Sequence, residues 1–171
     1  MLRPKREPAK PSSGVGNNPR AYALRLLALR PRTVRELRDK LARRGYPPEQ
    51  CESLIADLSA VSLLDDAKYA QLWVESRTAL RPMGASRLRA ELMRKGISRE
   101  LIDSALADSR EERDEDGAAL ELARKKLRSM RSLTPDAARR RLAGFLGRRG
   151  YPGGVIAKVL KQLMNVRTVE D

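Results

Sequence analysis

The sequence has no histidine and only one cysteine among its 171 residues. One thiol forms no internal disulfide, and without histidine the usual zinc ligand sets and nucleophile–histidine pairs are excluded. Cys51 stands where two related segments have isoleucine, so we predict a small core residue rather than a reactive thiol. A glycine-rich phosphate loop and a nucleophile motif are also missing. We therefore predict that the protein is not an enzyme and holds no metal and no cofactor.

Long apolar runs are missing as well. No stretch approaches the roughly 18 apolar residues that a membrane helix needs, and the first residues lack the apolar core of a signal peptide. We expect a soluble, cytoplasmic protein without a membrane partner.

Aromatic residues are few, with one Trp, one Phe and four Tyr. No aromatic stacking platform accompanies the basic clusters, so we expect no sequence-specific reading of single strands.

Positive charge is in excess. Lys and Arg number 36 against 22 Asp and Glu, which gives a formal net charge of +14. Such an excess argues for a polyanionic partner, whether nucleic acid, acidic protein or anionic lipid. The net charge is +4 over residues 1–20, +3 over 21–64, −2 over 65–116 and +9 over 117–171. A polyanion should therefore be held mainly by the two flanks.

Three related phrases recur along the chain: "LARRGYPPEQ" at 41–50, "LMRKGISREL" at 92–101 and "LGRRGYPGGV" at 146–155. Their glycines, Gly45, Gly96 and Gly150, lie 51 and 54 residues apart. Leucines stand eight and four residues before each glycine, and apolar residues stand one, six and ten residues after it. Pairs spaced by four mark one helix face. Each phrase therefore predicts a helix that ends at a left-handed glycine, followed by a second helix.

A further helix precedes each phrase, at about Tyr22–Leu29, Ala67–Thr78 and Ala118–Ser129. Thr33 and Thr134 are predicted N-caps of the first and third middle helices. The fold class is thus all-α, with three tandem three-helix, helix-turn-helix-like repeats that form an elongated, curved array. The predicted domains are a disordered basic arm at 1–20, repeat 1 at 21–64, repeat 2 with an acidic connector at 65–116, and a strongly basic repeat 3 at 117–171.

The candidate contacts for a polyanion are the basic pairs before the three glycines and the arginines of the middle helices. For the pairs two interpretations stay open, because cations at a helix C-terminus also compensate the helix dipole. The alternative is a row of phosphate contacts, to which arginine is suited by its two parallel hydrogen bonds. The candidates are Arg35, Arg38, Arg43, Arg44, Arg87, Arg89, Arg94, Lys95, Arg139, Arg140, Arg141, Arg148 and Arg149.

Three other groups of residues have structural interpretations. Asp65 and Asp66 stand at the start of a helix, where N-capping explains both carboxylates. Trp73 follows Tyr69 by four residues and is predicted to be a core residue. The acidic run from Ser109 to Gly117 is predicted to be a solvated connector.

The segments "SLLDDAKYAQLWVESR" (62–77) and "MGASRLRAELMRKGIS" (83–98) resemble the RecX family of bacterial regulatory proteins. The likeness extends over about residues 21–165. Two departures affect local turns, because a glycine usual in the family is Ser62 here and a usual proline is Ala85. The motif positions are Leu64, Asp65, Asp66, Tyr69, Ala70, Gly84, Leu88, Glu91, Leu92, Lys95, Gly96 and Ile97.

This resemblance implies a specific function. RecX-like proteins are three-unit helical proteins that bind RecA, lie in the groove of its filament on DNA, and suppress strand exchange, ATP turnover and coprotease activity, so that they modulate recombinational repair and the SOS response. The resemblance implies RecA and the RecA–DNA filament as partners. We further expect a monomer that binds single- or double-stranded DNA weakly and without specificity, because the basic pairs come without clusters of base-reading amides.

Two alternatives remain at this point, a DNA-binding transcription regulator and an RNA-associated helical protein. The net charge of −2 in the middle unit suits a protein-facing segment better than continuous tracking of DNA.

Overall fold

The computed structural model describes residues 18–80, 82–111 and 114–167, and in these ranges the chain is helical with no strand. The all-α prediction and the three three-helix repeats are thereby confirmed. Of the predicted arm, residues 1–17 lie outside the described ranges. The helices are α1 Pro19–Leu29, α2 Val34–Arg43, α3 Pro48–Ala60, α4 Asp66–Leu80, α5 Ala85–Arg94, α6 Arg99–Glu111, α7 Glu115–Arg128, α8 Pro135–Arg148 and α9 Gly153–Arg167.

The chain divides into two compact units, residues 1–69 and 70–171. The first contains α1–α3, whose core is built on Leu37, Leu41 and Leu58, all with no exposed surface. Cys51 belongs to this core and is 2% exposed, as predicted. The desolvation of its thiol raises the pKa of Cys51, so the reactive thiolate is disfavoured.

The second unit contains the second and third repeats. Leu88, Leu92 and Ile102 are fully buried in the second repeat. Leu142 and Leu146 are fully buried in the third, in a cluster with α7 and α9. The leucines eight and four residues before each glycine are therefore core residues in all three repeats, as the spacing predicts.

The three glycine corners share one backbone conformation. Gly45, Gly96 and Gly150 have φ of 86°, 86° and 85°, in the left-handed region that glycine occupies without steric cost. In the first corner the Gly45 N–H donates to the carbonyl of Ala42 at 2.9 Å. The predicted helix–glycine–helix corner is confirmed at each site.

Side-chain caps fix where several helices begin. Thr33 Oγ1 accepts from the Glu36 N–H at 3.1 Å, and Thr134 Oγ1 accepts from the Ala137 N–H at 3.4 Å. Both predicted N-caps are confirmed. Helix α1 begins at Pro19, three residues earlier than expected, because the Asn18 side chain caps it. Helix α8 has 14 residues against 10 in α2 and in α5.

Ser62, which stands where the family resemblance leads us to expect a glycine, adopts a left-handed backbone conformation. Its φ is 55°, and among the described residues it is the one non-glycine with positive φ. The Ser62 N–H donates to the Ser59 carbonyl at 3.0 Å, and the N–H groups of Leu63 and Leu64 both reach the Leu58 carbonyl, at 3.0 and 3.2 Å. The serine therefore adopts a conformation that suits glycine, at a cost of about 1–2 kcal/mol for an L-residue.

Candidate nucleic-acid interface

The Asp65–Asp66 pair caps two different helices. Asp65 Oδ1 accepts from the Lys68 N–H at 2.9 Å in the first turn of α4. Asp66 Oδ1 accepts from the N–H of Val34 at 2.9 Å, at the first residue of α2. Burial raises the pKa of Asp66 against the opposing effect of this hydrogen bond. Asp65 therefore caps its own helix, and Asp66 ties the start of α4 to the start of α2.

Gly84 makes a backbone-to-backbone contact between the second and third repeats. A Cβ at this position would lie 2.2 Å from the carbonyl oxygen of Gly150. The Gly84 N–H donates to the Arg149 carbonyl at 2.9 Å, and the Ser86 N–H donates to the Gly150 carbonyl at 3.3 Å. The N-terminus of α5 thus binds the carbonyl groups that end α8, groups that have no partner within their own helix.

Ala85, the second departure from the family pattern, belongs to the same junction. Its N–H donates to Glu115 Oε1 at 3.2 Å, at the first residue of α7. A proline has no N–H and would lose this bond. The alanine therefore permits a further link between the second and third repeats.

In the first two repeats, the second residue of the basic pair lies over an aromatic ring. The Arg44 guanidinium carbon is 4.5 Å from the centre of the Tyr22 ring, and Lys95 Nζ is 4.4 Å from that of Trp73. Both rings stand 23 residues before the corner glycine, so the contact repeats with the fold. Arg77 also lies over Trp73, at 4.3 Å. These contacts are cation–π interactions that fix the cations in place.

Trp73 is consequently not a core residue, and that prediction is wrong. Its side chain is half-buried, and Nε1–H donates to Glu91 Oε2 at 3.3 Å. The indole is amphipathic, and it remains at the surface because two cations and a carboxylate contact it. Glu91, a family-motif residue, also forms an ion pair with Arg87 at 3.4 Å.

The third repeat obtains the same stacking from a different helix. Arg149 lies 5.4 Å from the ring centre of Phe145, which belongs to α8 rather than to the first helix of its repeat. The first residues of the three pairs, Arg43, Arg94 and Arg148, are exposed. In each pair, therefore, one cation is fixed on a ring and the other faces solvent.

Arginines of the middle helices are neutralised in the first two repeats. Arg38 donates to both oxygens of Glu52, at 2.6 and 2.8 Å, which lowers the pKa of Glu52. Arg89 forms the equivalent ion pair with Asp103. Each pair stands seven residues before and seven after its corner glycine, and joins the second helix of its repeat to the third.

Alanine replaces both members of this pair in the third repeat, at Ala143 and Ala157. The basic residues of α8 stand elsewhere, as Arg139, Arg140 and Arg141, and all three are exposed. Among the described residues no carboxylate forms an ion pair with them. Unneutralised positive charge therefore collects on the third repeat, where the sequence has its net charge of +9.

A groove of about 390 Å³ runs between α7 and α8 beside these arginines. We call it the α7–α8 groove. Its lining contains four cations and one aromatic ring, and no carboxylate. The lining residues are Lys126, Ser129, Met130, Arg140, Arg141, Gly144, Phe145 and Arg148. Lys126, Phe145 and Gly144 were not among the sequence candidates, although a phenylalanine within a run of arginines is a visible signal.

Sequence candidates outside this groove have other contacts. Arg87 donates to the carbonyl of Arg148 at 3.1 Å and so belongs to the junction of the second and third repeats. Arg94 donates to the Ala90 carbonyl of its own helix at 3.3 Å. Arg35 is exposed on α2. The candidate residues therefore do not form one uniform row.

The acidic run, which is predicted to be a solvated connector, also contains two carboxylates with defined contacts. Asp114 caps α7 by accepting from the Gly117 N–H at 2.8 Å. Asp116 forms an ion pair with Lys158 of α9 at 2.8 Å. Residues 112 and 113 lie outside the described ranges. In the part of the chain that is described, no three His, Cys, Asp or Glu side chains are placed so that they could hold a metal ion.

The fold and this surface define a class: a helical-repeat protein of three-helix units, each with a glycine corner between its second and third helices, and with a cluster of unneutralised arginines on the last unit. No described helix is long and apolar enough to cross a membrane. Family models match all three units, as the first, second and third three-helix domains of RecX, at residues 20–58, 65–106 and 114–160. The chain belongs to the RecX family.

Individual relatives support this assignment. The chain is 45% identical over 145 residues to "Regulatory protein RecX" of Mycobacterium avium (strain 104), which covers 82% of each chain. It is 42% identical over 137 residues to the protein of the same name from Amycolatopsis mediterranei (strain U-32), covering 80% of this chain and 78% of the relative. The resemblance inferred from the sequence motifs is thus confirmed, and the family is one of regulatory proteins.

Solved structures agree on the fold. The crystal structure of RecX from Lactobacillus salivarius superposes with a TM-score of 0.78 at 21% identity, covering 85% of this chain and 94% of that one. A second crystal structure, of a regulatory protein RecX, gives a TM-score of 0.74 at 26% identity and covers 82% and 71% of the two chains.

Proposed function

We propose that this protein binds RecA and its filament on DNA, and that it inhibits the recombinase, ATPase and coprotease activities, so that it modulates recombinational repair and the SOS response. Membership of the RecX family supports this proposal over a transcription regulator or an RNA-associated protein. The proposed contact with DNA is supported by the arginines on α8 and in the α7–α8 groove, which no carboxylate of the described residues neutralises.

Charge pairing suggests different roles for the repeats. Arg38 and Arg89 are bound to carboxylates, so they brace their own repeats and have less free charge to offer a phosphate. The second repeat carries the acidic excess and suits a protein surface, which we assign to RecA. The third repeat suits the phosphate backbone. We further propose that the protein acts as a monomer in the cytoplasm.

Titration into a RecA strand-exchange reaction tests the regulatory role. We expect inhibition well below one copy per RecA protomer, because three tandem repeats offer more surface than one standard interface of about 1,600 Å² requires. ATP hydrolysis by RecA on single-stranded DNA should fall in parallel. An absence of inhibition at equal copies would contradict the proposal.

The arginines of α8 are tested by replacing Arg139, Arg140 and Arg141 together with alanine. Folding should be nearly unchanged, since alanine is at least as good a helix former and exposed pairs contribute only about 0–1 kcal/mol. The matched control replaces Lys125, Arg128 and Lys161, which are exposed on α7 and α9 and remove the same charge. We expect weaker filament inhibition from the α8 variant only. Equal losses would show that net charge alone matters.

Binding to naked DNA separates this proposal from a sequence-reading regulator. We expect binding that is weak, nonspecific and salt-sensitive, since arginines without base-reading amide side chains contact phosphates. Each phosphate contact removed should reduce the salt slope by about 0.7–0.9. Tight binding to one sequence that persists at high salt would favour the transcription regulator.

A further inference from the structure

We propose that the α7–α8 groove is a binding site for one strand of nucleic acid, held through its phosphates by cations from both walls and through a base on Phe145. The site deepens the proposed function, because it names the form of DNA that the third repeat holds. Its test uses the protein with nucleic acid and without RecA, so that its failure is distinguishable from a failure of filament inhibition.

The cations of the groove come from both of its helices. Lys126 extends from the last turn of α7, and Arg140, Arg141 and Arg148 extend from α8. Because no carboxylate lines the groove, none of this charge is neutralised within it. Arginine forks bind phosphate oxygens with two parallel hydrogen bonds. Four cations along one groove match a chain of successive phosphates better than they match a single free anion.

Gly144 leaves the wall of the groove open. The nearest atom to a Cβ built on this residue is Arg148 Nη1, at 3.3 Å. Glycine is among the poorest helix formers, and Gly144 lies in the interior of α8. A side chain at this position would enter the space beside the Arg148 guanidinium. The glycine therefore gives the groove its depth at the point where a cation is exposed.

Phe145 gives the groove an apolar surface. The ring is half-buried, with Lys126 Nζ at 5.8 Å and the Arg149 guanidinium at 5.4 Å from its centre. Aromatic rings beside basic grooves bind unpaired bases by stacking, whatever the sequence. Such stacking does not depend on sequence, so it agrees with the expected absence of sequence-specific reading of single strands. In a duplex the bases are stacked within the helix and do not reach such a ring, so the geometry favours a single strand.

The first experiment fills the groove without changing its charge. Gly144→Leu adds a side chain beside Arg148, and leucine is a better helix former than glycine. We expect the affinity for a fluorescent 15-nucleotide single strand, measured by anisotropy, to fall at least fivefold, with an unchanged or higher melting temperature. Affinity for a duplex of the same sequence should change less than twofold. Parent-like single-strand binding by a folded Gly144→Leu variant would overturn the proposal.

The second experiment tests the ring and the cations separately. Phe145→Leu keeps an apolar side chain but removes the stacking surface, so we expect single-strand affinity to fall about tenfold while the affinity for inorganic polyphosphate is unchanged. Arg140→Ala with Arg141→Ala should weaken the binding of both ligands. The control pair, Lys125→Ala with Lys161→Ala, removes the same charge outside the groove and should weaken them much less.

Each outcome decides for or against the site. If Phe145→Leu weakens strand and polyphosphate equally, or weakens neither, the ring does not bind a base and the proposal fails. If the control pair weakens binding as much as the groove pair, general charge holds the DNA and the groove is not a site. Filament inhibition that survives these failures would leave the regulatory role intact and refute only the groove.

Discussion

Replacing Gly84 with alanine should break the junction between the second and third repeats. The added methyl group would lie 2.2 Å from the Gly150 carbonyl oxygen, well inside the roughly 3.5 Å at which nonbonded atoms pack. The ends of α5 and α8 would have to separate by about 1 Å. Three hydrogen bonds connect the start of α5 to the end of α8, with the carbonyls of Arg148, Arg149 and Gly150 as acceptors at 3.1, 2.9 and 3.3 Å.

At about 0.5–1.5 kcal/mol for each hydrogen bond, the loss should be about 2–4 kcal/mol in the free energy of unfolding. Urea denaturation measures it, and amide hydrogen exchange at residue 84 and Ser86 should accelerate. Gly147→Ala is the control, because nothing lies within 4 Å of its Cβ and it belongs to α8. That change should stabilise the protein by about 0.5–1 kcal/mol. A Gly84→Ala protein as stable as the parent would refute the close contact.

Three further variants test local features. Ser62→Gly should stabilise the protein by about 0.5–1 kcal/mol in thermal or urea unfolding, because glycine adopts φ of 55° without the penalty of a Cβ; a loss of stability would contradict the left-handed turn. Asp66→Asn keeps an acceptor for the Val34 N–H. Burial raises the pKa of Asp66 above its value in the unfolded chain. Protonation of this carboxyl therefore stabilises the folded state at low pH, and that stabilisation is lost as the pH rises through the raised pKa. The free energy of unfolding of Asp66→Asn and of the parent is measured in urea at several pH values. The variant should gain stability relative to the parent between pH 3 and pH 7. A difference in stability that does not change with pH would contradict the raised pKa of Asp66. Leu142→Ala should cost about 2–5 kcal/mol by calorimetry, since this leucine is fully buried; a loss below 1 kcal/mol would contradict its burial.

Helix ends and core faces were predictable because they depend on local pattern. Leucine spacing identified the buried faces, since residues four apart share one side of a helix. The corner glycines and the caps at Thr33 and Thr134 depend on a few adjacent residues. Family motifs then identified the fold as a whole.

Contacts between distant helices were not predictable in the same way. The Arg38–Glu52 pair joins residues 14 apart on two helices, and only its recurrence around Gly96 reveals it in the sequence. Trp73 was misassigned because its position on the apolar face of α4 gives no sign of the two cations that cover it. Phe145 was overlooked because the groove beside it exists only once α7 and α8 pack together.

The Gly84–Gly150 contact limits how freely the repeats could be exchanged. Repeats that contact each other only through side chains can be placed in a new order, because the side chains of a new neighbour can pack in another arrangement. Here the two main chains touch, so a duplicated or transplanted unit would fit only beside a partner that also has glycine at the matching position. The second and third repeats are therefore expected to be inherited as a pair. A side chain at position 84 would meet main-chain atoms of Gly150 and Tyr151, which every residue has, so no substitution at position 150 should rescue a variant at Gly84.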